Sequence, residues 1–523
     1  MPEDETVLRP AGNDTAPPNF YAPGSAFVSR WLDQSLTAAE LKHASVRGGV
    51  ITFSAQLIKL IMNMLVTIWL AHILVPDDFG LVAMVMVIVN FFVLFKDAGF
   101  STATIQQETV SHEQVGLLFW LSAVIGIVLG LILFFIAPAV ALFFHEPRLV
   151  EIVQVLSLVF FLGGLGVQHE ALMQRQMRFR GLVAIELLGL LLASITAICL
   201  ALSGAGYWAM VWMQVVAIVV RVVLLWLMAG WIPSLPVLKV GVRKMAEFGG
   251  YMTLSNVIHY LSRQSDQVLL GWWSGAHALG LYSTAMQMLL LPIQQVLSPL
   301  SRVAVVTLSR VQGDDAGYRR AFLLLVKIVA YMTMPLMAVL AVLADPAVRL
   351  FLGEQWLEAV PIVSILACAG WILPLGNTMG WVLMSRGLGR RMVIWTMIMA
   401  PVMLSAFAIS LPWGAFGMAV AFTLVIYASR YFHFRYVLYG TPVSVRDLCW
   451  ALIWPACLSL LLAGTAFVVM HVFSFIELWL SMAASLLAVL FVMIACVLWI
   501  PPMKRECLEI WQLLNVIRHK EIA

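Results

Sequence analysis

Charge is what this sequence has least of. Asp, Glu, Lys and Arg together make up 11% of its 523 residues, against 62% apolar residues. A soluble domain carries roughly 25% charged residues. One large core cannot absorb the difference, because single cores stop growing near about 250–300 residues. Lipid is therefore the solvent for most of this surface. The six cysteines (Cys199, Cys368, Cys449, Cys457, Cys496 and Cys507) show no C-x-x-C spacing and lie mostly in apolar stretches. They read as small buried hydrophobes and not as disulfides or metal ligands. No basic cluster of the kind that neutralises a phosphate backbone is present, so nucleic acid is not an expected partner. H-E-x-x-H, G-x-S-x-G, P-loop and dinucleotide motifs are missing from any loop able to hold them, which leaves no seat for an enzyme, a metal or a cofactor. Residues 1–45 lack an apolar core with a small-residue cleavage site and read as a mobile cytoplasmic tail.

Long apolar runs fill the rest. A helix rises about 1.5 Å per residue, so crossing a ~30 Å hydrocarbon layer takes about 20 of them. Such runs fall near 49–74, 79–96, 115–137, 149–167, 181–203 and 207–229. A second series follows near 249–273, 279–301, 321–344, 359–384, 391–411 and 413–435, and two more lie at 448–472 and 477–500. The expected fold is an all-α integral membrane protein with about 14 transmembrane helices. Under that alternation 23 Lys and Arg residues lie on the side of the two termini, and only Arg148 and Arg349 on the other. Cytoplasmic loops carry the excess of positive charge, which puts both termini in the cytoplasm. Trp69, Trp208, Trp272, Trp273, Trp413 and Trp479 fall at the opposite boundaries, where amphipathic rings sit in the interface.

The chain resembles itself at an offset of about 200. Gly48-Gly49 recurs as Gly249-Gly250, Phe79-Gly80-Leu81 as Leu279-Gly280-Leu281, and Gly204-Ala205 as Gly414-Ala415. Ala171-Leu172-Met173 is echoed by Trp381-Val382-Leu383, and Arg221 by Arg430 within one residue. Six spans per unit means that both units enter from the same side, so the pseudo-twofold axis runs along the membrane normal. The expected organisation is a six-helix lobe over 46–230, a cytoplasmic linker over 231–248 and a second six-helix lobe over 249–440. Two additional helices over 441–500 and a cytoplasmic tail over 501–523 complete it.

Ionisable groups inside a span are costly and face the protein interior or a water-filled cavity. Ser255, His259, Ser262 and Asp266 share one face of the seventh span, flanked by Asn256 and Arg263. Thr52, Gln56, Lys59, Asn63 and Thr67 form a similar stripe on the first. As the lining of a hydrated cavity, Arg263, Lys59, Asn63, Gln56, Asn256 and Ser262 are candidate substrate contacts, while Asp266 and His259 are candidates to exchange a coupling ion. The alternative is an Arg263–Asp266 pair, one turn apart, that only pins the seventh span. Arg221, Arg430, Lys327 and Glu186 sit near cytoplasmic helix ends and are expected to snorkel.

The segment Leu70-Ala71-His72-Ile73-Leu74-Val75-Pro76-Asp77-Asp78-Phe79-Gly80-Leu81-Val82-Ala83-Met84 resembles the first outer loop of polysaccharide flippases, within the multidrug/oligosaccharidyl-lipid/polysaccharide exporter superfamily. Ala98-Gly99-Phe100, Arg263-Gln264-Ser265-Asp266-Gln267, Leu279-Gly280-Leu281-Tyr282-Ser283 and Pro299-Leu300-Ser301-Arg302 follow in that family's order. The likeness is to Wzx-type, colanic-acid-exporter-like members and covers roughly residues 40–440. It implies a two-lobed flippase in the bacterial cytoplasmic membrane that moves an undecaprenyl-diphosphate-linked repeat unit by alternating access, driven by a proton or sodium gradient. It also implies a polysaccharide polymerase and chain-length machinery as partners, beside membrane lipids. By position, it makes Arg263 and Lys59 diphosphate or acidic-sugar contacts. A lipid II flippase or a drug/cation antiporter of the same fold is the rival reading, and a membrane-embedded polymerase or glycosyltransferase a more distant one.

Overall fold

The computed structural model describes residues 38–96, 100–106, 110–236, 260, 264–473 and 477–506. Among them there is no strand. A chain immersed in lipid must satisfy every backbone amide within its own segment, and the helix does this without help from neighbours.

The first half comprises α1 (Ala38–Ile73), α2 (Pro76–Lys96), the short α3 (Phe100–Gln106), α4 (His112–Phe144), α5 (Leu149–Arg175), α6 (Phe179–Leu202) and α7 (Trp208–Ala229). The second half comprises α8 (Ser265–Arg310), α9 (Asp315–Val342), the short α10 (Ala344–Phe351), α11 (Val360–Ser385), α12 (Gly389–Ser410) and α13 (Gly414–Leu438). Last come α14 (Val445–Val472) and α15 (Leu478–Trp499).

Twelve stretches among the described residues are long and apolar enough to cross a membrane. The stretch Gly389–Leu438 holds two of the expected spans, α12 and α13, joined by a single 3-10 turn at Leu411–Trp413. The expected seventh span lies largely outside the described residues. Its end forms the start of α8, where Gly275 (φ 77°, ψ −171°) breaks the helix before the eighth span begins. This is a multi-pass membrane protein.

Within the first half α4 packs on α5, α5 on α7, α6 on α7 and α1 on α6. In the second half α8 packs on α11, α11 on α13 and α9 on α11, while α14 attaches to α9 and α15 to α14. The α5–α7 pair of the first half thus corresponds to the α11–α13 pair of the second. Gly204 and Gly414, matched by the repeat, both take positive φ (81° and 58°) before the last helix of each half. A side chain at either position would be strained, which is why glycine recurs there. Trp69, Trp272, Trp273, Trp413 and Trp479 are exposed at helix ends, as the interfacial belt requires. Cys199, Cys368, Cys449, Cys457 and Cys496 are free thiols, and Cys507 lies outside the described residues.

Candidate functional site

The two halves meet chiefly where α2 lies against α8. The crossing is too close for side chains. A Cβ at Gly80 would fall on the carbonyl of Ala276, and a Cβ at Gly280 on the carbonyl of Pro76. These two contacts are one contact written twice, since 76 and 276, like 80 and 280, differ by the repeat offset. An isologous pair of this kind is the mark of a local twofold axis. The third pair on the axis is polar: Nδ1 of His277 lies 3.1 Å from Oδ2 of Asp77, again 200 residues apart.

That crossing sits at the end of the bundle that carries Arg148 and Arg349, the arginine-poor end, and further bonds seal it. Nε2 of His277 lies 3.0 Å from Oε2 of Glu358. With a carboxylate on each ring nitrogen, only the imidazolium can donate to both. Trp356, fully buried, donates its indole N–H to the carbonyl of Ala71 at 2.9 Å, and Gln355 Nε2 donates to the same carbonyl at 2.6 Å. Trp356 also meets Phe79 edge-on, with ring centroids 5.0 Å apart. Asp78 accepts from the backbone N–H of Tyr207 at 3.1 Å and of Val75 at 3.3 Å. The Asp77-Asp78-Phe79-Gly80 stretch that carries the family likeness is therefore the closure of this end.

The two lone arginines here are both neutralised locally. Arg148 lays its Nε and Nη2 on the two carboxylate oxygens of Glu146, each at 2.8 Å, which holds the Glu146 carboxyl below the usual carboxylate range. Arg349 pairs with Asp345 and Glu354.

The α1 stripe is only loosely covered: Gln56 is exposed and Asn63 half-buried. Lys59 pairs with Glu186 of α6 at 3.4 Å, with 38% and 40% of the two side chains exposed. Neither residue stands as a lone charge, and Glu186 turns to Lys59 where snorkelling was expected. Asp266 is buried, accepting from the Tyr282 hydroxyl at 3.0 Å and from the N–H of Gln267 at 2.8 Å. Arg263, Asn256, Ser262 and His259 lie outside the described residues. Among the described residues, no group of His, Cys, Asp and Glu could hold a metal ion.

Three further charges depart from the snorkelling expected of them. Arg221 of α7 donates Nη2 to both oxygens of Glu170 on α5, at 2.7 Å each. Lys327 meets Glu506 at 2.6 Å, and Tyr331 donates to the same carboxylate at 2.6 Å. Arg430 is 7% exposed and folds back against α11, where a Cβ at Gly376 would fall on its Nη1. Sequence reasoning overlooked His277 as well, although the 200-residue offset from Asp77 was there to be read.

A family model described as "Polysaccharide biosynthesis protein" matches residues 69–361. The chain belongs to that family. Three relatives are similar to the chain over more than half of its length. A Bacillus subtilis protein named teichuronic acid biosynthesis protein TuaB is 30% identical over 294 residues, covering 56% of this chain and 61% of that one. The succinoglycan biosynthesis transport protein ExoT of Rhizobium meliloti is 28% identical over 331 residues, covering 63% and 67%. The lipopolysaccharide biosynthesis protein WzxC of Escherichia coli is 27% identical over 323 residues, covering 61% and 65%. The matched part of the chain therefore spans about three fifths to two thirds of these relatives. Among solved structures, the lipid II flippase MurJ superposes with a TM-score of 0.66 at 14% identity, over 86% of this chain and 99% of that one. An inward-facing multidrug transporter of the MATE family gives 0.58 at 14% identity, over 76% and 94%. These two likenesses show the fold: a polysaccharide biosynthesis family member on the two-lobed architecture shared by MurJ and that transporter.

Proposed function

We propose that this protein is a flippase for a lipid-linked oligosaccharide, an undecaprenyl-diphosphate-linked polysaccharide repeat unit, and not an enzyme. The supporting observation is the α2–α8 seam. Two pseudo-symmetric halves touch through a glycine-lined twofold crossing that is bonded shut at the arginine-poor end, the geometry on which one half can rock against the other. In this reading the arginine-rich end faces the cytoplasm, both termini included, and the membrane is the bacterial cytoplasmic membrane. The two lobes run over 46–230 and 249–440. Gln56 and Asn63 on α1, with Asn256 and Ser262 on the seventh span, receive the sugar, while Lys59 and Arg263 attract its diphosphate. Asp266 and His259 carry the coupling proton or sodium ion. A polymerase and its chain-length machinery take the product on the far side.

Removal of the protein tests this. A diphosphate-linked sugar should accumulate in the cytoplasmic leaflet and disappear when the wild-type chain is restored. Accumulation of lipid II would move the protein to the rival substrate, and accumulation of neither would overturn the flippase reading. A reporter active only outside the cytoplasm should work when fused after Val75 or Ser203 and stay silent after Arg178 or Arg310. Activity at Arg310 would refute the orientation.

A further inference from the structure

We propose that Arg430 is the cation of an oxyanion-binding pocket within the second half of the protein, between α11, α12 and α13, that takes a phosphate-type group. Arginine stays protonated in proteins, so burial does not remove this charge. Arg430 is 7% exposed, and among the described residues it has neither an ion pair nor a hydrogen bond. Its Nε is fully enclosed without an acceptor. The ring of Phe434 lies against it, its centroid 5.9 Å from the guanidinium carbon. An enclosed cation without a counter-charge is costly enough that a membrane protein keeps it for a ligand or a partner.

The first half shows what is missing. Arg221, which the repeat matches to Arg430 within one residue, has Glu170. The offset of 210 that aligns Ala171-Leu172-Met173 with Trp381-Val382-Leu383 puts Gly380 where Glu170 stands. A Cβ at Gly380 would meet nothing within 4 Å, so a side chain can be placed there, one turn from the glycine on which Arg430 lies. One turn earlier, Gly376 provides the bare backbone on which the guanidinium lies.

The third wall, α12, buries little of itself. α12 buries only Phe407 and Ser410, both at its arginine-poor end, so no α12 residue is buried at the level of Arg430. Nearer the other end, α12 touches α13 through Trp395 stacked on His433, with centroids 4.5 Å apart and planes 10° apart. The guanidinium's planar fork of donors matches a phosphate or diphosphate oxygen pair. The same chemistry arrives on a lipid headgroup or as a free ion. The pocket stands whether or not the protein moves a lipid-linked sugar, because it lies in one half alone, away from the α1 stripe.

The test uses the full-length protein in phosphatidylcholine nanodiscs, titrated with inorganic pyrophosphate, farnesyl diphosphate and farnesol, and followed by calorimetry and thermal shift. We expect saturable binding of farnesyl diphosphate and none of farnesol. Binding of pyrophosphate as well assigns the site to the free anion, whereas farnesyl diphosphate alone assigns it to a headgroup. R430Q and G380E should each weaken binding about tenfold or more, the loss expected for one charge-assisted contact. G380E keeps the arginine and supplies an internal carboxylate in its place, so it decides the matter even if R430Q folds poorly. R221Q, whose arginine is already engaged, should bind as the wild type does. No binding of either diphosphate to the wild type, or equal binding by G380E, overturns the proposal.

Discussion

The two halves of this protein share a skeleton and differ in how they treat one arginine of their last helix. In the first, Arg221 reaches from α7 to both oxygens of Glu170 on α5. In the second, Arg430 lies on the corresponding helix and packs against Gly376, with Gly380 at the sequence position that the repeat matches to Glu170. Where geometry is shared, at the Gly80/Gly280 crossing, the repeat is kept to the residue. Backbones in contact tolerate no side chain, whereas a charge can be satisfied in several ways. Duplicated halves therefore hold on to their packing glycines and are free to change their polar groups.

The largest effect expected from breaking this comparison is at the seam. Gly80→Leu and Gly280→Leu should each destabilise by about 3 kcal/mol or more, since the added side chain meets carbonyls that cannot move aside. The two losses should match within error in a thermal or denaturant melt. Tolerance at one position but not the other would show that the contact is not twofold.

The arginines come next. Arg221→Met leaves Glu170 without its partner and should cost about 1–2 kcal/mol, between the values for exposed and buried pairs because the side chains are 40% and 27% exposed. Adding Glu170→Gln should recover most of it. Arg430→Met removes an unpaired charge from apolar surroundings and should be neutral or stabilising. Similar losses at 221 and 430 would mean that Arg430 has a structural partner after all.

Grafting the missing carboxylate sharpens the contrast. Gly380→Glu replaces a helix-interior glycine and gives Arg430 a partner, so it should raise stability by about 1 kcal/mol. A lower melting temperature would show that the two halves diverge in backbone as well as in charge.

The smallest effect is at the arginine-poor end. Arg148 holds Glu146 ionised by hydrogen bonding, so the folded carboxyl titrates below its unfolded value. Its contribution is present above the unfolded value and fades as pH falls through the lower, folded one. Exposed pairs of this kind are worth about 0–1 kcal/mol. Arg148→Gln should therefore shift the melt slightly at neutral pH and not at all in strong acid. A shift that persists in strong acid would assign Arg148 a role beyond the pair.

Much of this was legible in the chain itself. Span number followed from apolar run length, because a bilayer sets the length of a helix and allows its backbone no other solution. The repeat was legible because glycines at a close crossing cannot be replaced. Charge pairing was not. Lys59 and Glu186 are 127 residues apart and Lys327 and Glu506 are 179 apart, so no local spacing reports that they meet. The helix positions of Arg221 and Arg430 gave the same snorkelling expectation for both, and neither residue follows it.

The sequence by itself determined that this is a multi-pass helical membrane protein of two related halves, since apolar length, helix-ending glycines and an internal offset are local or periodic properties. Only the tertiary structure decided which charges are compensated. Whether an arginine finds a carboxylate depends on what the neighbouring helix presents at its level. For Arg221 that is Glu170, and for Arg430 it is the bare backbone of Gly376.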